Sequence, residues 1–353
     1  MSRQARLPFR AIVRAQIAMF RRLLRPALLL WLTGTAAATD LAIEGTRFTL
    51  DGQPTFLFGI SYYGALGAPQ AFIERDLDDI ERLGINWIRV WATWAAFDND
   101  VTAVDEEGKP REPYFSRLAW LVAECDRRGI VVDVTVTRGN GVVGQPRIRS
   151  LTAHRRAVET MVSALKPHRN WYLDLGNERN IRDPRFVGFD ELKELREAAR
   201  RIDPKRPVTA SHAGDIPPED LECYVVTVGV DFISPHRPRN AQSPQQTEER
   251  SREYLAEMRK LDHVVPLDYQ EPFRRGFTQG WEPGVEDYVT DARAALAGGA
   301  AGWCLHNGDQ RDRPGQEPRR SFDLREKRLF DQLDEVERQA LERLSRLFAG
   351  NGE

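Results

Sequence analysis

Two glutamates stand where this chain could do chemistry. Glu178 ends the run Asp174-Leu175-Gly176-Asn177-Glu178, and Glu271 ends Tyr269-Gln270-Glu271. Two carboxyls that face each other can divide a reaction between them. One protonates a leaving oxygen; the other attacks carbon or activates water. Cleavage of a glycosidic bond needs this pair. Close approach and partial desolvation should raise one of the two pKa values and keep that group protonated. Most glutamates are solvated surface charges. These two differ because each follows a short apolar run, at matching points of a repeated pattern.

The pattern is an alternation of strands and helices. Strand-like runs recur at Thr55–Ser61, Asn86–Trp91, Ile130–Thr137, Trp171–Gly176, Pro207–Ser211, Asp231–Pro235, Val264–Gln270 and Ala300–Leu305. Between them apolar residues take helical spacing, as in Ile73, Leu77, Ile80 and in Leu118, Leu121, Val122, Cys125. Gly84 and Gly129 read as helix stops just before the next strand. Apolar strands alternating with amphipathic helices imply a parallel sheet covered by helices. Eight such units after residue 38 fit a (β/α)8 TIM barrel. A doubly wound sheet would need a glycine-rich phosphate loop, and Gly59-Ile60-Ser61-Tyr62-Tyr63-Gly64 does not match one. Ahead of the barrel, Ala42–Phe48 and Thr49–Phe56 around Asp51-Gly52 read as a short β-hairpin. Leu329, Leu333 and Val336 extend the helical spacing at the end of the chain, so Asp323–Phe348 reads as one long eighth helix. Residues 39–353 read as a single barrel domain with a helical extension.

Barrel chemistry sits at the C-terminal ends of the strands. Those ends carry Tyr62 and Tyr63, then Arg89, Trp91 and Trp94, Arg138 and Asn140, the Asn177-Glu178 pair, His212, His236, Glu271, Trp303, and finally His306 and Asn307. Strands 4 and 7 face each other across a barrel mouth, so Glu178 and Glu271 should meet there. His236 could bond a carboxylate or a sugar hydroxyl, and His212 lies one strand away. Tyr62, Tyr63, Trp91 and Trp94 offer aromatic faces on which a sugar can stack. Asp174 lies inside its strand and should brace the barrel interior.

At this point the chain resembles glycoside hydrolase clan A, the retaining, cellulase-like family 5 and its relatives, over roughly Leu41–Asn307. The resemblance rests on Phe58-Gly59-Ile60-Ser61, Asn86-Trp87-Ile88-Arg89, Gly176-Asn177-Glu178, Glu271 and Trp303. It implies that Glu178 is the acid/base and Glu271 the nucleophile of a double displacement. It implies that Asn177 holds the substrate 2-hydroxyl, that Arg89 orients and ionises Glu271, and that Trp303 floors the sugar site. Retention requires carboxyls ~5–5.5 Å apart; inversion needs ~6.5–9.5 Å. Two positions depart from the family pattern: strand 7 reads Asp-Tyr-Gln-Glu-Pro, and Arg179 follows Glu178.

Composition narrows the partners. The 353 residues are 41% hydrophobic and 29% charged, a globular mixture, and the formal charge of −2 speaks against general nucleic-acid binding. The first 38 residues hold seven arginines and no acid, leaving 44 basic against 53 acidic residues in the rest. Arg21, Arg22 and Arg25, the apolar run Ala27–Leu32 and the small residues Gly34 to Ala38 read as a signal peptide cleaved after Ala38, with Met19 an alternative start and an uncleaved anchor the rival. The expected location is therefore secreted or periplasmic, with membrane contact only through the leader. Cys125, Cys223 and Cys304 allow at most one disulfide and have no metal-site spacing. No cofactor or metal is expected, and the domain should act as a monomer. Arg179, Arg182, Arg237, Arg239, Arg274, Arg275, Arg311, Arg313, Arg319 and Arg320 crowd the later strand outlets. A basic mouth would favour an anionic polysaccharide, although 45 of the 51 basic residues are arginine throughout. The rival functions are a non-catalytic sugar-binding barrel of the cell envelope and a metal-dependent hydrolase built on His212, His236 and Asp309. The second lacks the histidines that a first strand would supply.

Overall fold

The computed structural model describes residues 38–96, 99–136, 148–182, 185–307 and 322–349. The leader, Arg138, Asn140, Asp309 and the 311–320 arginines lie outside them. Eight strands in parallel form the barrel: Leu57–Ser61, Trp87–Trp91, Val131–Thr135, Trp171–Asp174, Val208–Thr209 continued as Ser211–His212, Ser234–Pro235, Asp268–Tyr269 and Gly302–Leu305. Seven lie side by side in the order 5-4-3-2-1-8-7. Ser211 and His212 pair with Ser234 and Pro235, and a parallel bridge between Ile233 and Leu267 joins strand 6 to strand 7. The ring is thereby closed, and the TIM barrel read from the alternation is the architecture found.

Residue parity along each strand decides what faces the barrel axis. Phe58, Ile60, Ile88, Val90, Val132, Val134 and Leu173 pack outward into the large core shared with the helices. Leu57, Trp87, Val131 and Tyr172 meet in a second cluster. Trp87 fills that space so closely that a Cβ on Gly59 would lie 2.3 Å from its ring. Above this apolar floor the same parity places Arg89, Asp133 and Asp174, all fully buried.

The helices follow their apolar stripes. Ile73, Leu77 and Ile80 are buried on Gln70–Arg82, and Leu118, Leu121, Val122 and Cys125 on Tyr114–Arg127. Gly84 and Gly129 end these helices at φ +67° and +71°, a conformation costly for any residue with a Cβ.

Two elements differ from the reading of the sequence. The N-terminal sheet has three strands, Leu41–Glu44, Arg47–Leu50 and Gln53–Thr55. Gly45 at φ +60° makes a first turn ahead of the one at Asp51-Gly52. The helix expected over Asp323–Phe348 is broken into Leu329–Gln332 and Glu335–Ala349. Asp334 causes the break. Its carboxylate accepts from the Glu337 amide at 2.9 Å while Glu337 accepts from the Asp334 amide at 2.8 Å, a reciprocal cap that starts a new helix.

Candidate active site

Strand 4 delivers Glu178 through a stitched extension. The Leu175 amide donates to the Thr209 carbonyl and the Asn177 amide to that of Val136, at 2.8 and 3.2 Å. The Glu178 amide then donates to Ser211 Oγ at 3.0 Å. Glu178 itself sits at φ +48°, a left-handed conformation that costs a non-glycine residue roughly 1–2 kcal/mol. Backbone strain of this kind gathers at functional sites, held by surrounding bonds; here they come from both neighbouring strands.

Glu271 leaves strand 7 and is gripped at both oxygens. Tyr63 Oη donates to Oε1 at 2.9 Å, and Arg89 donates to the same oxygen. Arg239 donates to Oε2 at 2.8 Å. His236 Nδ1 lies 3.1 Å from Glu178 Oε1 and 3.5 Å from Glu271 Oε2. One oxygen of each glutamate and one nitrogen of His236 all fall within 4.8 Å of one another.

Arg89 is the brace beneath. Its Nε donates to Asp133 at 2.9 Å, and its Nη2 to Asp174 at 3.1 Å and to Asn177 Oδ1 at 2.9 Å. Asp174 also accepts from the Gly176 and Ser211 amides at 3.1 and 3.2 Å. It braces rather than reacts, as its place in the strand implied.

Neighbouring charges lower both glutamates, Glu271 the more. Burial would push Glu271 up, but His236, His306, Arg89 and Arg239 hold it well below the usual carboxylate range. Burial also lowers His306 well below an ordinary imidazole. Burial pushes Glu178 up as well; the His236 hydrogen bond and the charges of Arg239 and His236 outweigh both that and the repulsion from Glu271. The expectation that proximity would raise one carboxyl is therefore corrected. Arg239 reaches across from Glu271 to Glu178 Oε1, 3.4 Å away, so the like charges share a cation.

No protein-family profile matches the chain, and no curated protein matches its sequence. Solved structures do. A glycoside hydrolase family 5 from Bacteroides vulgatus superposes with a TM-score of 0.65 at 15% identity, covering 88% of this chain and 71% of that one. The endo-1,4-β-mannanase of Rhizomucor miehei gives 0.62 at 13%, covering 88% and 99%. A β-glucuronidase from an uncultured Clostridium sp. gives 0.56 at 12%, covering 87% of this chain and 53% of that one. This chain shares the barrel fold of these glycoside hydrolases.

Within that fold the strand ends sort the expected residues. Glu178, Glu271, Arg89, Asn177 and His236 come together. Trp91 borders them, stacked on Tyr63 with ring centroids 4.6 Å apart. Trp303 does not floor the site. It has the outward parity of strand 8, is fully buried, and donates through Nε1 to Asp291 Oδ2 of helix Val285–Gly298 at 2.7 Å. Tyr62 likewise points outward, to Asp76 of helix Gln70–Arg82 at 2.9 Å, so it offers no stacking face. His212 turns Nδ1 to Tyr224 Oη at 3.3 Å, and burial with the nearby Arg179 lowers it to about 4. It is a neutral residue beside the site and bonds neither glutamate.

Among the described residues, three arginines of the mouth are answered by the protein's own acids. Arg237 pairs with Asp215, Arg275 with Asp334, and Arg179 with Asp220. Arg239 and Arg274 are the ones drawn into the site. Sequence reasoning gave neither a specific role, and it missed Asp133 and the Tyr63 bond to Glu271. Parity could have found both, since Tyr63 shares a face with Ser61 and Asp133 faces Arg89. The Glu178, His236 and Glu271 atoms are of metal-ligand type, but Arg89 and Arg239 already neutralise the carboxylates, so a cation would have to evict a guanidinium.

Proposed function

We propose that this chain is a retaining glycoside hydrolase acting on a β-linked poly- or oligosaccharide, with Glu271 as nucleophile and Glu178 as acid/base. The observation that carries the reading is that one oxygen of each carboxylate lies within 4.8 Å of the other across strands 4 and 7, which supports the short separation of a retaining pair.

Glu271 is held ionised by Arg89 and oriented by Tyr63, so it can attack the anomeric carbon. Glu178 gives its proton to the departing oxygen, and a glycosyl ester forms on Glu271. The negative charge thereby passes from Glu271 to Glu178, and the net charge of the pair is unchanged. Glu178, now ionised, takes a proton from water, which attacks the same carbon and restores Glu271. Asn177, which accepts from Arg89, would hold the 2-hydroxyl, as the family resemblance implies. Glu178 must be protonated for the first step, and Arg239 opposes this. Substrate entry therefore has to move Arg239.

The basic, apolar and small-residue leader supports export. Aryl β-mannosides, β-glucosides and β-glucuronides are the first substrates to try. A 2-fluoro glycoside should label Glu271 covalently. An active enzyme labelled elsewhere, or not at all, overturns the assignment; a protein that binds glycans without cleaving any would be the non-catalytic barrel.

A further inference from the structure

Arg239 occupies the place where the reacting bond should lie. Its Nη2 is 2.8 Å from Glu271 Oε2 and 3.4 Å from Glu178 Oε1. The guanidinium stacks over Phe277 at 4.8 Å, and Arg274 lies over the same ring at 5.1 Å. Arg274 is itself buried and donates to His306 Nε2 at 3.0 Å. Two guanidiniums thus converge on one aromatic ring beside the carboxylate pair. A sugar that enters between Glu178 and Glu271 must take Arg239 from partners it needs for itself. A neutral sugar leaves that cation in a site only 13% exposed, stripped of both carboxylate partners. A sugar with its own carboxylate supplies a replacement of the same geometry, which a guanidinium can grip with two parallel bonds.

We propose that Arg239 is a specificity residue that selects a uronosyl substrate, whose carboxylate draws the guanidinium off Glu271 and Glu178 and pairs with it beside Arg274. This rests on the glycosidase reading and names its substrate class. Release of Arg239 also frees Glu178 to carry the proton that the first step needs, so recognition and activation become one event.

The test compares aryl β-glycosides that differ only at C6, uronosyl against neutral, in the gluco and manno series. The wild-type protein should prefer the uronosyl member by about 100-fold in kcat/KM, the scale of a buried charge pair. Arg239→Gln should collapse that ratio to below about 10-fold, and Arg239→Lys should keep part of it. The alkaline limb of the Arg239→Gln pH profile on the neutral substrate should move to higher pH, a shift that a purely structural role would not give. Calorimetry with an oligouronide and its neutral counterpart reads the same preference without turnover. Equal rates and equal binding in wild type, a ratio that Arg239→Gln leaves unmoved, or preference for a C6-sulfated analogue would overturn the proposal. Failure to cleave any glycoside while the uronide preference persists in calorimetry would overturn the hydrolase reading and leave the recognition standing.

Discussion

Two arginines hold the same carboxylate in opposite ways. Arg89 rises from the second barrel strand, has no exposed surface, and is shared among Asp133, Asp174, Asn177 and Glu271. Its partners come from strands 3, 4 and 7, so it cannot move without the barrel moving. Arg239 comes from the segment after strand 6, and its charged partners are Glu178 and Glu271. The contrast separates two tasks. On the proposed mechanism, the charge that persists through turnover is built into the sheet, and the charge that is exchanged hangs from an outlet.

The largest expected effect comes from removing what both arginines grip. Glu271→Ala should cut hydrolysis by about ten-thousand-fold or more with the fold intact, and Glu178→Ala by roughly 100- to 10,000-fold. Rates on activated aryl glycosides, read beside the melting transition, decide this. A Glu271→Ala enzyme with a tenth of wild-type activity would place the chemistry elsewhere.

The next test addresses the buried brace. Arg89→Met leaves several carboxylates in the barrel without their countercharge, and breaking such a buried set costs about 3–5 kcal/mol. Denaturant unfolding should show this loss and a smaller one for Arg239→Gln. Equal losses would erase the distinction between fixed and exchangeable charge.

Tyr63→Phe sharpens the comparison from a neutral direction. It removes a donor to ionised Glu271 at 2.9 Å, so the carboxyl rises and the acidic limb of kcat/KM should move to higher pH. The rate should fall about 10-fold, the scale of one such bond. An unshifted limb would mean that the guanidiniums alone set the ionisation.

The smallest effect lies away from the mouth. Burial raises Asp291 to about 6, against the donors Thr247 and Trp303. A carboxyl raised by folding binds its proton more tightly in the native state. Its contribution to stability is therefore full below 3.8, falls as pH rises towards about 6, and is flat above. Asp291→Asn should flatten the pH dependence of unfolding in that window. An unchanged slope would show that Asp291 ionises freely where it lies.

Much of this molecule was legible in its sequence because its signals are local. The eight apolar runs and the stop glycines Gly84 and Gly129 fix the alternation, and the Asn177-Glu178 and Glu271 endings mark facing strands. What escaped was directional or long-range. Tyr62, just past strand 1, and Trp303, the second residue of strand 8, are each one residue out of phase with the barrel axis, so their rings reach the helices. The cap between Asp334 and Glu337 could be read in the chain, yet the apolar spacing of Leu329, Leu333 and Val336 ran across it. Arg239 belongs to an irregular segment, where no periodicity points a side chain; only the fold brings it 2.8 Å from Glu271.

One backbone contact ties the outlets together. The Thr278 hydroxyl donates to the carbonyl of Arg239, so the segment bearing the exchangeable guanidinium is pinned by the segment that leaves strand 7. Anyone retargeting this scaffold by transplanting the sixth outlet alone would cut that tether and lose the aim of the transplanted arm. The two outlets must be grafted as a cassette.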